Sequence, residues 1–142
     1  MKHYVPAILL VEDDVSLRYL TSDILTALNM SVQSVSTAEK ALELLIENDY
    51  KLLLADIHLP GMTGLELAAK AVAMQPQIKV LLTSGAGFLV ADRMNFEFAL
   101  LPKPYNTRQL QLAIRELDEE AFSPSAKLET PASVVQSRSP NI

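Results

Sequence analysis

Short apolar runs alternate along the chain with segments whose apolar residues recur at helical spacing. Ala7 to Val11, Lys51 to Ala55 and Ile78 to Leu82 are dominated by Leu, Ile, Val and Ala, as in strands covered on both faces. Ser31 to Val35 alternates polar and apolar residues, which suits an outer strand. Phe96 to Leu101 reads as a fifth strand, broken by Pro102-Lys103-Pro104. Asp14 can cap a helix by accepting a free N–H in its first turn. That helix carries Leu17, Leu20, Ile24, Leu25 and Leu28 on one stripe and stops at Asn29. Ser36-Thr37-Ala38-Glu39 reads as a capping box. It opens a helix that turns Ala41, Leu42, Leu45 and Ile46 inward and ends near Asn48. Gly61 and Gly64 mark a turn, and Leu65 to Met74 is helical until Gln75-Pro76 stops it. Ser84 to Gly87 is a further turn, Phe88 to Met94 a short helix, and Thr107 to Leu117 a last helix with Leu110, Ile114 and Leu117 on one face.

Strand followed by helix, five times over, predicts an α/β domain: a parallel sheet with right-handed crossovers and helices on both faces. Ligands of such sheets bind beyond the carboxyl ends of the strands. From about Ala121 the composition shifts to Ser, Pro, Ala and Thr. Residues 1–120 are therefore expected to form the domain, and 121–142 a disordered tail that buries too little to offset its ordering entropy.

The 142 residues suffice for one domain. A net charge of −5 argues against nucleic-acid and anionic-membrane surfaces, so direct DNA binding is not expected. No cysteine is present, which excludes disulfides and thiolate metal sites. The N-terminal Met1-Lys2-His3-Tyr4 leads into no long apolar core, and no apolar stretch approaches the roughly 20 residues that span a bilayer. A soluble, cytoplasmic protein is expected.

Three of the apolar runs end in polar, reactive groups. The first meets Glu12-Asp13-Asp14, the third ends at Asp56, and the fourth ends at Thr83-Ser84. Parallel strands would bring these to one sheet edge. Two carboxylates about 4 Å apart repel by roughly 4 kcal/mol at an effective dielectric near 20, and a divalent cation relieves that conflict. Oxygen ligands without thiols select a hard ion such as Mg2+. Asp13 and Asp56 are read as direct ligands, Glu12 as holding a metal-bound water, and the backbone carbonyl of His58 as completing the set. Asp56 is the candidate nucleophile, attacking phosphorus to give an acyl phosphate. Lys103, held between prolines, can pair with a phosphoryl oxygen, and the Thr83 hydroxyl can donate to the same group. Each element has a plainer reading in isolation: a solvated helix start, a turn-initiating Asp, an exposed loop lysine, a Thr-Ser helix cap and a half-exposed loop histidine.

Taken together, Leu9-Leu10-Val11-Glu12-Asp13-Asp14, the segment from Leu54 through Asp56 to Gly64, Leu82-Thr83-Ser84 and Pro102-Lys103-Pro104 resemble the response-regulator receiver domains of two-component signalling. The likeness covers about residues 6 to 119. It implies a flavodoxin-like doubly wound five-stranded sheet in the order 2-1-3-4-5 and a cis peptide between Lys103 and Pro104. It also implies Mg2+ dependence and phosphotransfer to Asp56 from a histidine kinase or histidine phosphotransfer protein. The chain departs from the family at Leu100, where an aromatic residue commonly reorients with the threonine. A leucine there, and a short stretch between Thr83 and Lys103, resemble single-domain or hybrid-kinase receivers more than transcription factors. His58, two after Asp56, falls where such domains tune phosphoryl lifetime, and Gly85 leaves the second tuning position without a side chain. A monomer or weak homodimer regulating a partner protein is expected. The alternatives are a small phosphohydrolase using Asp56, which would want a second Asp where His58 stands, and a degenerate scaffold.

Overall fold

The computed structural model describes residues 7–85 and 96–120. The helix expected at Phe88 to Met94 and the tail from residue 121 lie outside these residues. The elements run β1 (Ile8–Val11), α1 (Val15–Ala27), β2 (Val32–Val35), α2 (Ala38–Glu47), β3 (Leu52–Asp56), α3 (Gly64–Met74), β4 (Lys79–Ser84), β5 (Ala99–Pro102) and α4 (Thr107–Glu120). All four strand pairings are parallel, in the order β2-β1-β3-β4-β5, as the resemblance implies. The Lys103–Pro104 peptide is cis, also as implied.

Successive strand residues point to opposite faces, and this alternation sorts the core into two layers. Leu9, Val11, Leu53, Ala55, Val80, Leu82 and Phe98 pack with α2 and α3 on one side. Ile8, Leu10, Leu52, Leu54, Leu81, Ala99 and Leu101 pack with Leu25 of α1 and with Leu110, Ala113, Ile114 and Leu117 of α4 on the other. Asp56 and Thr83 continue the second series within their strands. Glu12 and Lys103 continue it one residue beyond theirs, their N–H groups extending the ladders to Val35 O at 3.1 Å and Ser84 O at 2.7 Å. Glu12, Asp56, Thr83 and Lys103 thus stand on the α1–α4 side, and Leu100 belongs to the opposite layer.

Local chemistry sets the ends of the helices. The Asp14 side chain accepts from Leu17 N at 3.0 Å, as expected of a cap. Asn29 ends α1 at φ 66°, a conformation Asn tolerates better than most residues. The capping box expected at Ser36 is displaced by one residue. Thr37 is the cap, accepting from Lys40 N, which places Glu39 one position too early to reach back. A complete capping box stands instead at α3: Thr63 accepts from Glu66 N at 3.2 Å, and the Glu66 carboxylate accepts from Thr63 N at 3.0 Å.

Two helical stripes are narrower than their apolar residues suggest. Leu20 is 56 % exposed while Thr21 is fully buried, because Thr21 and Leu25 form the centre of the inward face and Leu20 lies more than a quarter of a turn from either. Ile46 is 73 % exposed, with Ala38, Ala41 and Leu45 taking the buried stripe of α2. The fifth strand also begins later than Phe96. Pairing with β4 starts at Ala99, while Phe96 and Phe98 enter the core first, ring against ring at 5.6 Å. Gly64 opens α3 directly against β3, where an added Cβ would lie 2.2 Å from the Asp56 carbonyl oxygen. Among the described residues, no helix is long and apolar enough to cross a membrane.

Candidate functional site

The sheet edge assembles the site from four strand ends. Asp56 closes β3 and pairs in register with Thr83 of β4. Both are buried, at 6 % and 2 % exposure. Glu12 follows β1 at 3 % exposure, and Lys103 follows β5. The Lys103 ammonium lies between the two acids, 2.9 Å from Asp56 Oδ2 and 3.1 Å from Glu12 Oε1. Asp56 Oδ1 accepts the His58 backbone N–H at 3.0 Å, and Glu12 Oε2 accepts that of Asp14 at 3.1 Å. Each buried carboxylate is therefore hydrogen-bonded through both oxygens.

Asp13 is exposed, yet one ligand oxygen from each of Glu12, Asp13 and Asp56 lies within 4.8 Å of the others. Three carboxylates against one ammonium leave a net negative site. An all-oxygen donor set of that charge suits Mg2+, so these side chains fit the ion that the resemblance implies. The structure thus brings Glu12, Asp13, Asp56, Thr83 and Lys103 together. Ser84 is buried beside them and accepts the Lys103 N–H through its carbonyl, and Pro104 follows directly. The His58 side chain is exposed, and Leu100 packs half-buried on the other face of the sheet.

Three residues absent from the motif reading also hold the site. Arg18 Nη1 donates to the Glu12 carbonyl oxygen at 2.9 Å. Tyr105, two after Lys103, shares a 2.9 Å hydrogen bond with the fully buried Thr21 of α1. A hydroxyl on the inward stripe of a helix, as at Thr21, is a sequence signal for such a buried partner.

Burial pushes the Glu12 carboxyl above the usual range, although the Asp14 N–H and Lys103 oppose it. Burial alone would lower the Lys103 pKa, but hydrogen bonds to Asp56 and Glu12 outweigh it and raise it. Tyr105 and Tyr50 are raised chiefly by burial. A group whose folded pKa is raised binds its proton more tightly in the fold, so its contribution is full below the unfolded pKa and fades as pH climbs through the folded one. Lysine and tyrosine place that window above about pH 10. Thermal melts should show stability holding from neutral pH to about 9 and falling steeply beyond, less steeply in Tyr105→Phe.

A family model for the response regulator receiver domain matches residues 8–115. The transcriptional regulatory protein CpxR homolog of Haemophilus influenzae is 31% identical over 121 residues, which are 83% of this chain and 52% of that protein. The response regulator receiver protein CpdR of Brucella abortus is 30% identical over 113 residues, 78% of this chain and 94% of the relative. The chain spans only 26% of the C4-dicarboxylate transport transcriptional regulatory protein DctD of Rhizobium meliloti, to which it is 28% identical. Among solved structures, the CheY-like receiver domain protein of Methanospirillum hungatei superposes with a TM-score of 0.71 at 31% identity, covering 83% of this chain and 98% of that one. Strand order, edge chemistry and matched residues agree: the chain belongs to the receiver domain family of two-component response regulators.

Proposed function

We propose that Asp56 accepts a phosphoryl group from a phosphohistidine on a histidine kinase or histidine phosphotransfer protein. The observation that carries this reading is the Lys103 ammonium held between Asp56 and Glu12, with Asp13 converging on the same point. An Asp56 carboxylate oxygen forms a bond to phosphorus while the phosphorus–nitrogen bond breaks, and the electron pair leaves with the imidazole of the donor. Lys103, already 2.9 Å from Asp56 Oδ2, pairs with an oxygen of the transferred group. Thr83, in register with Asp56, supplies a hydroxyl donor to another. Asp13, Asp56 and the His58 carbonyl would hold Mg2+ directly and Glu12 through a water. When bound, the ion neutralises the acidic cluster and the charge of the incoming group.

Movement of Thr83 toward the new phosphoryl group would pass across the β4–β5 ladder, where Leu82 pairs with Leu100. Leu100 packs into the α2–α3 layer, so an aliphatic residue takes the place of the aromatic switch. The altered surface then regulates a partner protein in the cytoplasm. The chain serves as acceptor, its only turnover being self-phosphorylation and self-dephosphorylation.

Incubation with acetyl phosphate and Mg2+, followed by intact mass measurement, tests the reading. One hydroxylamine-sensitive phosphoryl group is expected, and none after chelation. Mg2+ alone should raise the melting temperature. At a concentration 100 times its dissociation constant, linkage gives about 2.7 kcal/mol. Asp13→Asn should lose most of that gain. An unchanged gain in this variant would remove Asp13 from the ligand set.

A further inference from the structure

Thr21 is fully buried in α1, and its hydroxyl has no role in the chemistry proposed above. It meets the Tyr105 hydroxyl at 2.9 Å, across 84 residues of sequence. Tyr105 packs against the apolar layer formed by α1, α4 and the sheet, and burial raises its pKa, so the hydroxyl stays protonated and available as a donor at neutral pH. One turn before Thr21, on the same side of the helix, Arg18 donates to the Glu12 carbonyl at 2.9 Å. The helix therefore holds the segment bearing one carboxylate and, through Tyr105, the segment bearing the ammonium that pairs with it.

Lys103 is pinned on both flanks. Its own N–H is bound to Ser84 O at 2.7 Å. On the other flank stands Pro104, whose ring restricts the backbone, and then Tyr105 anchored to Thr21. With the backbone so held, the direction of the Lys103 side chain follows from where α1 places Tyr105.

We infer that the Thr21–Tyr105 hydrogen bond positions Lys103 for phosphoryl transfer, with α1 acting as the gauge that sets the spacing between Glu12 and Lys103. Thr21 and Tyr105 are positioning residues and touch no reacting atom. The inference rests on the phosphoacceptor reading of Asp56. Ångström-scale misplacement of a group that stabilises transferred charge can slow a reaction by up to about a hundredfold, and loss of one hydrogen bond calls for a smaller displacement.

The test compares Thr21→Val, Tyr105→Phe, their combination and Thr21→Ser. Phosphorylation by acetyl phosphate is followed across donor and Mg2+ concentrations, alongside thermal melts. The maximal rate should fall about tenfold in each single variant. The double variant should fall no further, since one shared bond is lost in all three. Mg2+ half-saturation should stay within about twofold, and Thr21→Ser should restore the rate. If a single variant fails to fold, the double variant carries the measurement, because it leaves no buried hydroxyl without its partner. Lowered melting temperatures with maximal rates kept within about twofold of wild type would overturn the inference. So would a rate loss explained wholly by weaker Mg2+ binding. A wild-type protein that takes no label would instead overturn the phosphoacceptor reading beneath it.

Discussion

Asp56→Asn abolishes labelling by acetyl phosphate while leaving the fold intact. The amide has nearly the shape of the carboxylate, so its oxygen can still accept the His58 N–H that now reaches Asp56 Oδ1 at 3.0 Å. Lys103 keeps Glu12 as a partner at 3.1 Å, and one of three mutually repelling carboxylates is gone. Stability in the absence of metal should therefore change little. What disappears is the anionic oxygen that attacks phosphorus, and no acyl phosphate forms on an amide. Intact mass measurement should show no phosphoryl increment at any Mg2+ concentration. The comparison with Asp13→Asn separates acceptor from ligand. That variant should still be labelled, but only at higher Mg2+. Undiminished labelling of Asp56→Asn would move the acceptor to another carboxylate and dismantle the assignment.

The second large effect is on folding. In Gly64→Ala the new methyl group would sit 2.2 Å from the Asp56 carbonyl oxygen, 2.8 Å from Ile57 Cα and 2.9 Å from Asp56 C. All three are backbone atoms, so no side-chain rotation relieves the clash. Either the start of α3 moves out or the end of β3 moves in. Overpacking of this kind costs about 1–3 kcal/mol and sometimes more, and the better helix propensity of alanine returns about 1 kcal/mol at most. With contacts this short the cost falls at the upper end of that range, and a net loss of about 2 kcal/mol should lower the melting temperature by roughly 5 °C or more. Because the atoms displaced belong to Asp56 and its neighbour, the labelling rate should fall as well. Gly85→Ala is the matched control. Among the described residues an added Cβ there meets nothing within 4 Å, and its stability should stay within about 0.5 kcal/mol of wild type. Equal melting temperatures for the two variants would show that α3 does not need its close approach to β3.

The central strands were legible because residues buried on both faces leave continuous apolar runs. The residues ending those runs then named the site: Glu12, Asp56 and Thr83 are where Leu, Val and Ala give way to oxygen-bearing side chains. The existence of the four described helices was equally plain, but their inward faces were not. Leu20 and Ile46 are as apolar as their buried neighbours, and only the packing of a layered sheet decides that Thr21 goes in where Leu20 does not and that Ile46 stays out. The cap of α2 was misplaced because Ser36 and Thr37 are chemically alike, and one residue of offset decides whether Glu39 can reach back. The Thr63–Glu66 box was hidden inside a turn already marked by Gly61 and Gly64. The bonds made by Arg18 and Tyr105 were illegible for a different reason. Their partners are a backbone carbonyl and a threonine on another element, and neither leaves a local pattern.

The alternation that divides β1, β3 and β4 between two apolar layers has a further consequence for how this chain can vary. Each central strand is read in a frame of two, and both layers depend on the same frame. Deleting one residue from β3 would exchange Leu53 and Ala55 with Leu52 and Leu54 and turn Asp56 toward the wrong side. Gains and losses of length in related chains should therefore fall in the connecting segments, leaving the three central strands unchanged in length even where their residues have been replaced.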